Sequence, residues 1–305
     1  MSPTAAAPGG ETRQALAAGI ACNLIWGLMP VLYLLMYRLG ASPWEVVGQR
    51  AMWAAPWAVG LVLLARQGGE ALAVLRRPGV LALLTLSALT IAANWTLYVW
   101  TVAQKHNLEA SLGYYINPLI NMAIGGLIFR ERINWIGWTA IGLAVTGVAL
   151  QTQALGHLPM ISLALAISFC IYGVIRRQVA ATAQVGLMVE CLILMLPGLA
   201  VTMWVWAHGG GLEGSGVPGA LLMMLNGPLT VAPLALFAWT ARRLPFSVMG
   251  FLQFIGPTLG FVTGLVTGER LSPLGVLSFV FIWAGAAAFA FGAWQVSRRF
   301  QPIEA

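Results

Sequence analysis

Residues Leu108 to Arg132 read LEASLGYYINPLINMAIGGLIFRER, an apolar run with two adjacent Tyr, two Asn, a Pro and a Gly-Gly pair that ends in Arg-Glu-Arg. A water-soluble helix has no use for this mixture. In a bilayer, amides and Pro inside an apolar helix are costly unless they face other helices or an aqueous cavity. A weaker version of the run lies near Phe246 to Arg270, and the pairing of the two sets the architecture.

The rest of the chain agrees with a membrane setting. Of 305 residues, 59% are hydrophobic and 8% charged, against roughly 25% charged in a soluble domain. So few charges cannot cover the surface of a soluble fold of this size. The net charge of +7 does not indicate a nucleic-acid partner, because the basic residues punctuate the ends of apolar runs instead of gathering on one segment. The first residues, MSPTAAAPGGETRQ, look like a short cytoplasmic tail; the apolar run after them is too long for a cleaved signal peptide.

Apolar stretches of about 20 residues suit membrane-crossing helices, and ten are predicted: Ala15–Tyr37, Glu45–Ala65, Val80–Ala103, Leu108–Phe129, Asn134–Gln151, Leu158–Ile175, Val185–Trp206, Pro218–Ala241, Phe246–Thr267 and Leu274–Val296. Their short connections imply antiparallel neighbours and leave no room for a soluble domain. Twelve Arg fall on the side of the two termini, while Arg38, Lys105 and Arg270 mark the other side and Arg50 lies a little inside the second span. The positive-inside rule then places both termini in the cytoplasm.

The chain repeats itself. Glu131-Arg132-Ile133-x-x-x-Gly137 matches Glu269-Arg270-Leu271-x-x-x-Gly275, and Pro118 corresponds to Pro257 at an offset of 139. At the same offset of 139, Leu97-Tyr98-Val99-Trp100-Thr101 matches Leu236-Phe237-Ala238-Trp239-Thr240. Trp26-Gly27 is paired with Tyr172-Gly173 at a larger offset. A unit of five spans means that the second copy enters the membrane upside down. The expected fold is an all-α integral membrane protein of ten transmembrane helices in two inverted five-helix repeats, 15–151 and 158–296, with cytoplasmic tails 1–14 and 297–305. Inverted repeats are a mark of secondary transporters, whose solute site lies near the midplane where the halves meet.

This layout, with a Glu closing spans four and nine and a Gly-rich helix after each, resembles the EamA group of the drug/metabolite transporter superfamily. Within that group, Asn94-Trp95-x-x-Tyr98, Leu108 to Tyr114, Ile116-Asn117-Pro118-Leu119 and Glu131-Arg132 resemble the RarD branch. The resemblance covers nearly the whole chain. It implies a bacterial-type inner-membrane permease, and the related YddG-type exporters move amino acids outward. One departure is Gly256-Pro257, where the first half has Asn117-Pro118.

The candidate solute-binding residues follow from polar stripes within the spans. Tyr114, Asn117 and Asn121 share a face of span four, spaced by three and four residues. Asn94 and Tyr98, with Thr101, form a similar stripe on span three; Asn226 and Thr230 do so on span eight; and Gln253 precedes Pro257 on span nine. Trp26 stands beside Gly27 on span one, where a helix or ligand could approach closely. Amides, hydroxyls and rings suit an amphiphilic small solute, although the same amides could simply bond helices together.

Ionisable groups within spans are functional candidates by default. Glu190 could carry a coupling proton or contact a cationic group, or lie at headgroup level and reach water, Arg176 or Arg177; Arg50 could attract a carboxylate in an outer vestibule or snorkel outward. Glu109, four residues after Lys105, is expected to form a local ion pair with it. The Gly-rich runs are expected to let helices pack closely.

An enzyme is not expected. All nine acidic residues are Glu, His106, His157 and His208 sit at loop level, and Cys22, Cys170 and Cys191 fall in apolar runs without metal-type spacing. No cofactor or metal follows from these residues; the implied partners are a small-molecule substrate and the lipid bilayer. Few buried acids argue against sodium coordination, which leaves proton antiport or facilitated diffusion.

Overall fold

The structure, a computed structural model, describes residues 9–127, 134–212, 216–241, 243–244 and 252–299; the side chains of some helical residues in these ranges, Asn121 among them, lie outside the description. The described chain is helical throughout: α1 (Gly9–Arg38), α2 (Pro43–Leu64), α3 (Gly68–Leu75), α4 (Pro78–Ala103), α5 (Asn107–Leu127), α6 (Trp135–Leu155), α7 (Met160–Gln178), α8 (Ala183–Ala207), α9 (Val217–Met224), α10 (Asn226–Ala241), α11 (Ile255–Val266) and α12 (Pro273–Arg299). The Arg-Glu-Arg end of the opening stretch and the start of the predicted ninth span, including Glu131 and Phe246, fall outside the described residues.

Local chemistry sets several boundaries. Ser42 caps α2 by accepting the Glu45 N–H at 3.1 Å, with Pro43 at the first helical position. Asn134 caps α6 by accepting the Gly137 N–H at 2.8 Å, and Gly156 ends that helix at φ 75°. Two features depart from the expected spans. The short helix α3 lies in the connection between the second and third spans, where eight residues are too few to stand out by periodicity. The predicted eighth span divides into α9 and α10 at Leu225. Pro228 has no N–H to offer the Met224 carbonyl there, and the Asn226 amide instead donates to the Met223 carbonyl at 3.1 Å.

Among the described residues, six stretches are long and apolar enough to cross a membrane: Thr12–Arg38, Pro78–Ala103, Trp135–Leu155, Ala183–Ala207, Val217–Phe237 and Pro273–Gly292. Met160–Arg176 and Ile255–Val266 are shorter apolar helices. Leu64, Trp135 and Val266 stand exposed on the outside, whereas Glu45, Arg50, Asn94, Glu190 and Asn226 are buried. Apolar outside and polar inside is the distribution of a multi-pass membrane protein, whose surroundings are hydrocarbon.

Helices α2 and α8 pack along each other, as do α6 and α12 and, less extensively, α5 and α11. Between these pairs, α1 meets α10 and α11, α4 and α5 both meet α7, α2 meets α10, and α4 meets α8. The α2–α8 contact is close because Gly48 and Gly198 oppose each other. A Cβ on Gly48 would come within 2.8 Å of the Gly198 carbonyl oxygen, and one on Gly198 within 2.7 Å of the Gly48 carbonyl. Close packing also holds at Gly147, whose carbonyl accepts the Ser278 hydroxyl at 2.7 Å.

Carboxylates tie distant segments at both ends of the bundle. At the end that carries the start of α1, Glu70 accepts the Thr182 N–H at 2.7 Å and its hydroxyl at 3.1 Å. At the far end, Glu45 accepts the Leu212 N–H at 3.0 Å. There too, Glu269 caps α5 by accepting from the Asn107 N–H and side-chain amide and the Leu108 N–H at 2.7, 2.8 and 2.9 Å. Each carboxylate thus meets otherwise orphaned donors near a helix start or in a turn.

The expected Lys105–Glu109 pair is replaced by another. Glu109 binds His106 Nδ1 at 2.9 Å. Lys105 precedes α5 and sits at φ 59°, so helical four-residue spacing does not apply to it.

Candidate functional site

Arg50 and Glu190 are buried charges that sit in the same register of two helices. Arg50 is eight residues past Ser42, the N-cap of α2; Glu190 is eight residues past Thr182, the N-cap of α8. At ~1.5 Å per residue, each lies about 12 Å into its helix. The helices start from opposite ends of the bundle, so Arg50 approaches the midplane from the far end and Glu190 from the terminal end.

Arg50 is held by neutral groups. Its Nε donates to Thr230 Oγ1 at 3.1 Å, its Nη1 donates to the Tyr33 hydroxyl at 3.0 Å, and its guanidinium carbon lies 4.2 Å from the centre of the Trp95 ring. Thr230 can accept because its own proton goes to the Asn226 carbonyl at 2.8 Å. Arg50 is only 7% exposed, and among the described residues no carboxylate lies within ion-pair distance of it.

Glu190 has a similar frame with one addition. It accepts from Ser87 Oγ at 2.5 Å and from the Tyr172 hydroxyl at 3.3 Å, and Arg176 Nε lies 3.6 Å away. Arg176 fits because residue 186 is Gly: a Cβ there would collide with the guanidinium. Glu190 thus meets Arg176, one of the two cations the sequence offers it, and does not reach water. It is 2% exposed and paired within the bundle.

A line of aromatic rings runs between these charges. Tyr33 meets Tyr98 at 6.2 Å, Tyr98 meets Tyr114 at 5.4 Å, Tyr114 meets Phe169 at 6.3 Å and Phe169 meets Tyr172 at 5.9 Å, centre to centre. These rings come from α1, α4, α5 and α7. Tyr114 donates to Asn94 Oδ1 at 3.3 Å, while Asn94 Nδ2 donates to the Leu165 carbonyl and to Ser168 Oγ, both at 2.9 Å. Asn94 thus bonds α4 to α7 while standing beside the ring line.

The other sequence-derived candidates fall in different places. Asn117 is buried in α5. Asn121 lies in the same helix with its side chain outside the description. Asn226 is fully buried at the α9–α10 break, its Nδ2 on the Met223 carbonyl and its Oδ1 without a described partner. Trp26 packs on Phe237 at 5.9 Å, and Gln253 is half-buried just before α11; neither has a described contact with Arg50 or Glu190. Tyr115, next to Tyr114, turns the other way and bonds Thr258 at 2.6 Å. Tyr33, Phe169 and Ser87 are not among the sequence-derived candidates, and Trp95 enters only as part of the Asn94-Trp95-x-x-Tyr98 motif. Their signal, a hydroxyl or ring in an apolar helix, is common to many residues that only pack.

Among the described residues no group of three or more His, Cys, Asp or Glu could hold a metal, and the three Cys are buried and unpaired. A cavity of about 490 Å³ lies between α11 and α12, lined by Phe261, Glu269, Arg270 and Trp283 among others, apart from the two charges.

The comparisons with known proteins agree with this membrane interior. The EamA-like transporter family model matches residues 13–153. The chain is 40% identical over 290 residues to a protein named uncharacterized transporter from Pseudomonas aeruginosa, covering 94% of this chain and 96% of that one. It is 37% identical over 292 residues to protein RarD of Salmonella typhi, covering 95% and 98%. A solved crystal structure matches with TM-score 0.59 at 19% identity, over 92% of this chain and 98% of that chain, which shows likeness of fold alone.

Proposed function

This chain belongs to the EamA-like transporter family, in its RarD-like branch, and from that premise we infer that it carries a small organic solute, an amino acid or similar metabolite, by alternating access. Family membership points to transport rather than catalysis. The observation that carries the mechanism is the buried line from Arg50 through Tyr33, Tyr98, Tyr114 and Phe169 to Tyr172 and Glu190. Charged, hydroxyl and ring groups so placed can hold a polar solute and its apolar part in the same passage.

The inverted-repeat reading is supported by how the helices pair. Exchange α1 with α7, α2 with α8, α4 with α9–α10, α5 with α11 and α6 with α12. The α2–α8, α5–α11 and α6–α12 contacts map onto themselves. The α1–α10 contact maps onto α4–α7, α1–α11 onto α5–α7, and α2–α10 onto α4–α8. The equal register of Ser42 and Thr182, an offset of 140, also pairs Tyr33 with Tyr172 at 139, in better agreement with the other repeats than the Trp26–Tyr172 match. Two such halves rocking about α2 and α8 would expose the ring line to one side and then the other.

In this reading both termini are cytoplasmic, the membrane is a bacterial-type inner membrane, and the solute moves outward. Glu190 is the group available for proton coupling. Uptake of a panel of radiolabelled amino acids into proteoliposomes, with and without a proton gradient, tests it. Saturable flux of at least one is expected; none for the whole panel would overturn the reading.

A further inference from the structure

We propose that Arg50 is the anion-recognition group of the passage, and that the solute carries a carboxylate on an apolar body. This rests on the transporter reading and narrows its substrate class.

Arg50 and Glu190 occupy matching positions with matching neutral partners. Each is bonded by a Tyr from the preceding transmembrane helix, Tyr33 or Tyr172, and by a hydroxyl from a helix distant in sequence, Thr230 of α10 or Ser87 of α4. The frames differ in the Trp95 ring, which lies against Arg50 alone, and in the counter-ion. Arg176, four residues after Tyr172, neutralises Glu190; four residues after Tyr33 stands Tyr37, whose hydroxyl donates instead to the Val99 carbonyl at 2.9 Å. The first half therefore has no charge where the second half has its counter-ion.

A buried guanidinium without an anion is costly, because neutral hydrogen bonds do not replace the hydration of a full charge. Its five donors form a planar fork suited to a carboxylate. Nε and Nη1 have protein partners, and Nη2 has no described one. Beside the fork, the Trp95, Tyr33 and Tyr98 rings offer apolar walls. A carboxylate arriving there completes a charge pair that the fold leaves incomplete, and the rings cover the body attached to it.

The test uses the purified full-length protein and four acids paired with their primary amides: propionate, valerate, 3-phenylpropionate and L-phenylalanine. Thermal unfolding gives the apparent affinity of each, since a ligand of the folded state raises apparent stability. At least one acid should bind about tenfold or more tightly than its amide. That preference should vanish in Arg50→Gln and persist, weakened, in Arg50→Lys. Equal binding of acid and amide throughout, or no binding by any acid, overturns the proposal, and this arm needs only the unmodified protein. Flux separates the two readings. Acid-selective binding without flux would leave the Arg50 site standing and remove the transport reading; flux of neutral solutes undiminished in Arg50→Gln would do the reverse.

Discussion

Arg50 and Glu190 are the same position of two helices that start from opposite ends of the bundle, yet the protein treats them differently. Glu190 has Arg176 at 3.6 Å; Arg50 has only hydroxyls and a ring. One charge is completed within the fold and the other is left for something that comes and goes. An isolated buried charge is expensive enough that a fold keeps it only where it serves a purpose. The neutral frame shared by the two sites shows that burial itself is not the difference. The difference in charge lies at one position, Arg176 against Tyr37.

The largest expected effect comes from making the second site resemble the first. Arg176→Gln strands Glu190, and breaking such a buried pair costs about 3 kcal/mol or more. The thermal unfolding midpoint should fall steeply in this variant, while Arg50→Gln, which removes a charge with no counter-ion among the described residues, should leave it unchanged or raise it. Equal losses in both variants would dissolve the contrast. Next in size is the contact between α2 and α8, the helices that carry the two charges. Gly198→Ala drives a methyl into the Gly48 carbonyl, and overpacking of this kind costs about 1–3 kcal/mol; a stability loss below that range would show a looser contact.

Smaller effects probe what each charge does. In Glu190→Gln, flux that depends on a proton gradient should become independent of it, with solute affinity little changed; an unaltered gradient dependence would remove Glu190 as the coupling group. Thr230→Val and Ser87→Ala each delete a hydroxyl bonded to the buried charge, a contact worth about 1.5 kcal/mol or more. The first should weaken carboxylate binding several-fold and the second should leave it alone.

Much of the fold was legible because bilayer spans announce themselves as long apolar runs, and Arg50 and Glu190 stand out as ionisable residues within such runs. Their surroundings were not. Tyr33, Trp95, Ser87 and Phe169 acquire meaning only when α1, α4 and α7 converge on the two charges, and nothing local distinguishes them from packing residues. The Tyr114–Asn117–Asn121 stripe was found by helical spacing. Spacing cannot say that Tyr114 turns to α4 and α7 while Tyr115 turns to Thr258. Lys105 was misread for a related reason: a spacing rule was applied to a residue that lies before the helix begins. Motifs at an offset of 139 are visible in the sequence, but the like register of Tyr33 and Tyr172 ahead of Arg50 and Glu190 shows only once the starts of α2 and α8 are known.

The most direct measurement is saturable uptake into proteoliposomes of one radiolabelled carboxylate chosen from the binding panel, in the unmodified protein and in Arg50→Gln at equal reconstituted amounts. The expected result is saturable flux that falls by about thirtyfold or more in Arg50→Gln, the size of a lost buried charge contact. Saturable flux that is the same in both would contradict a solute carboxylate at Arg50.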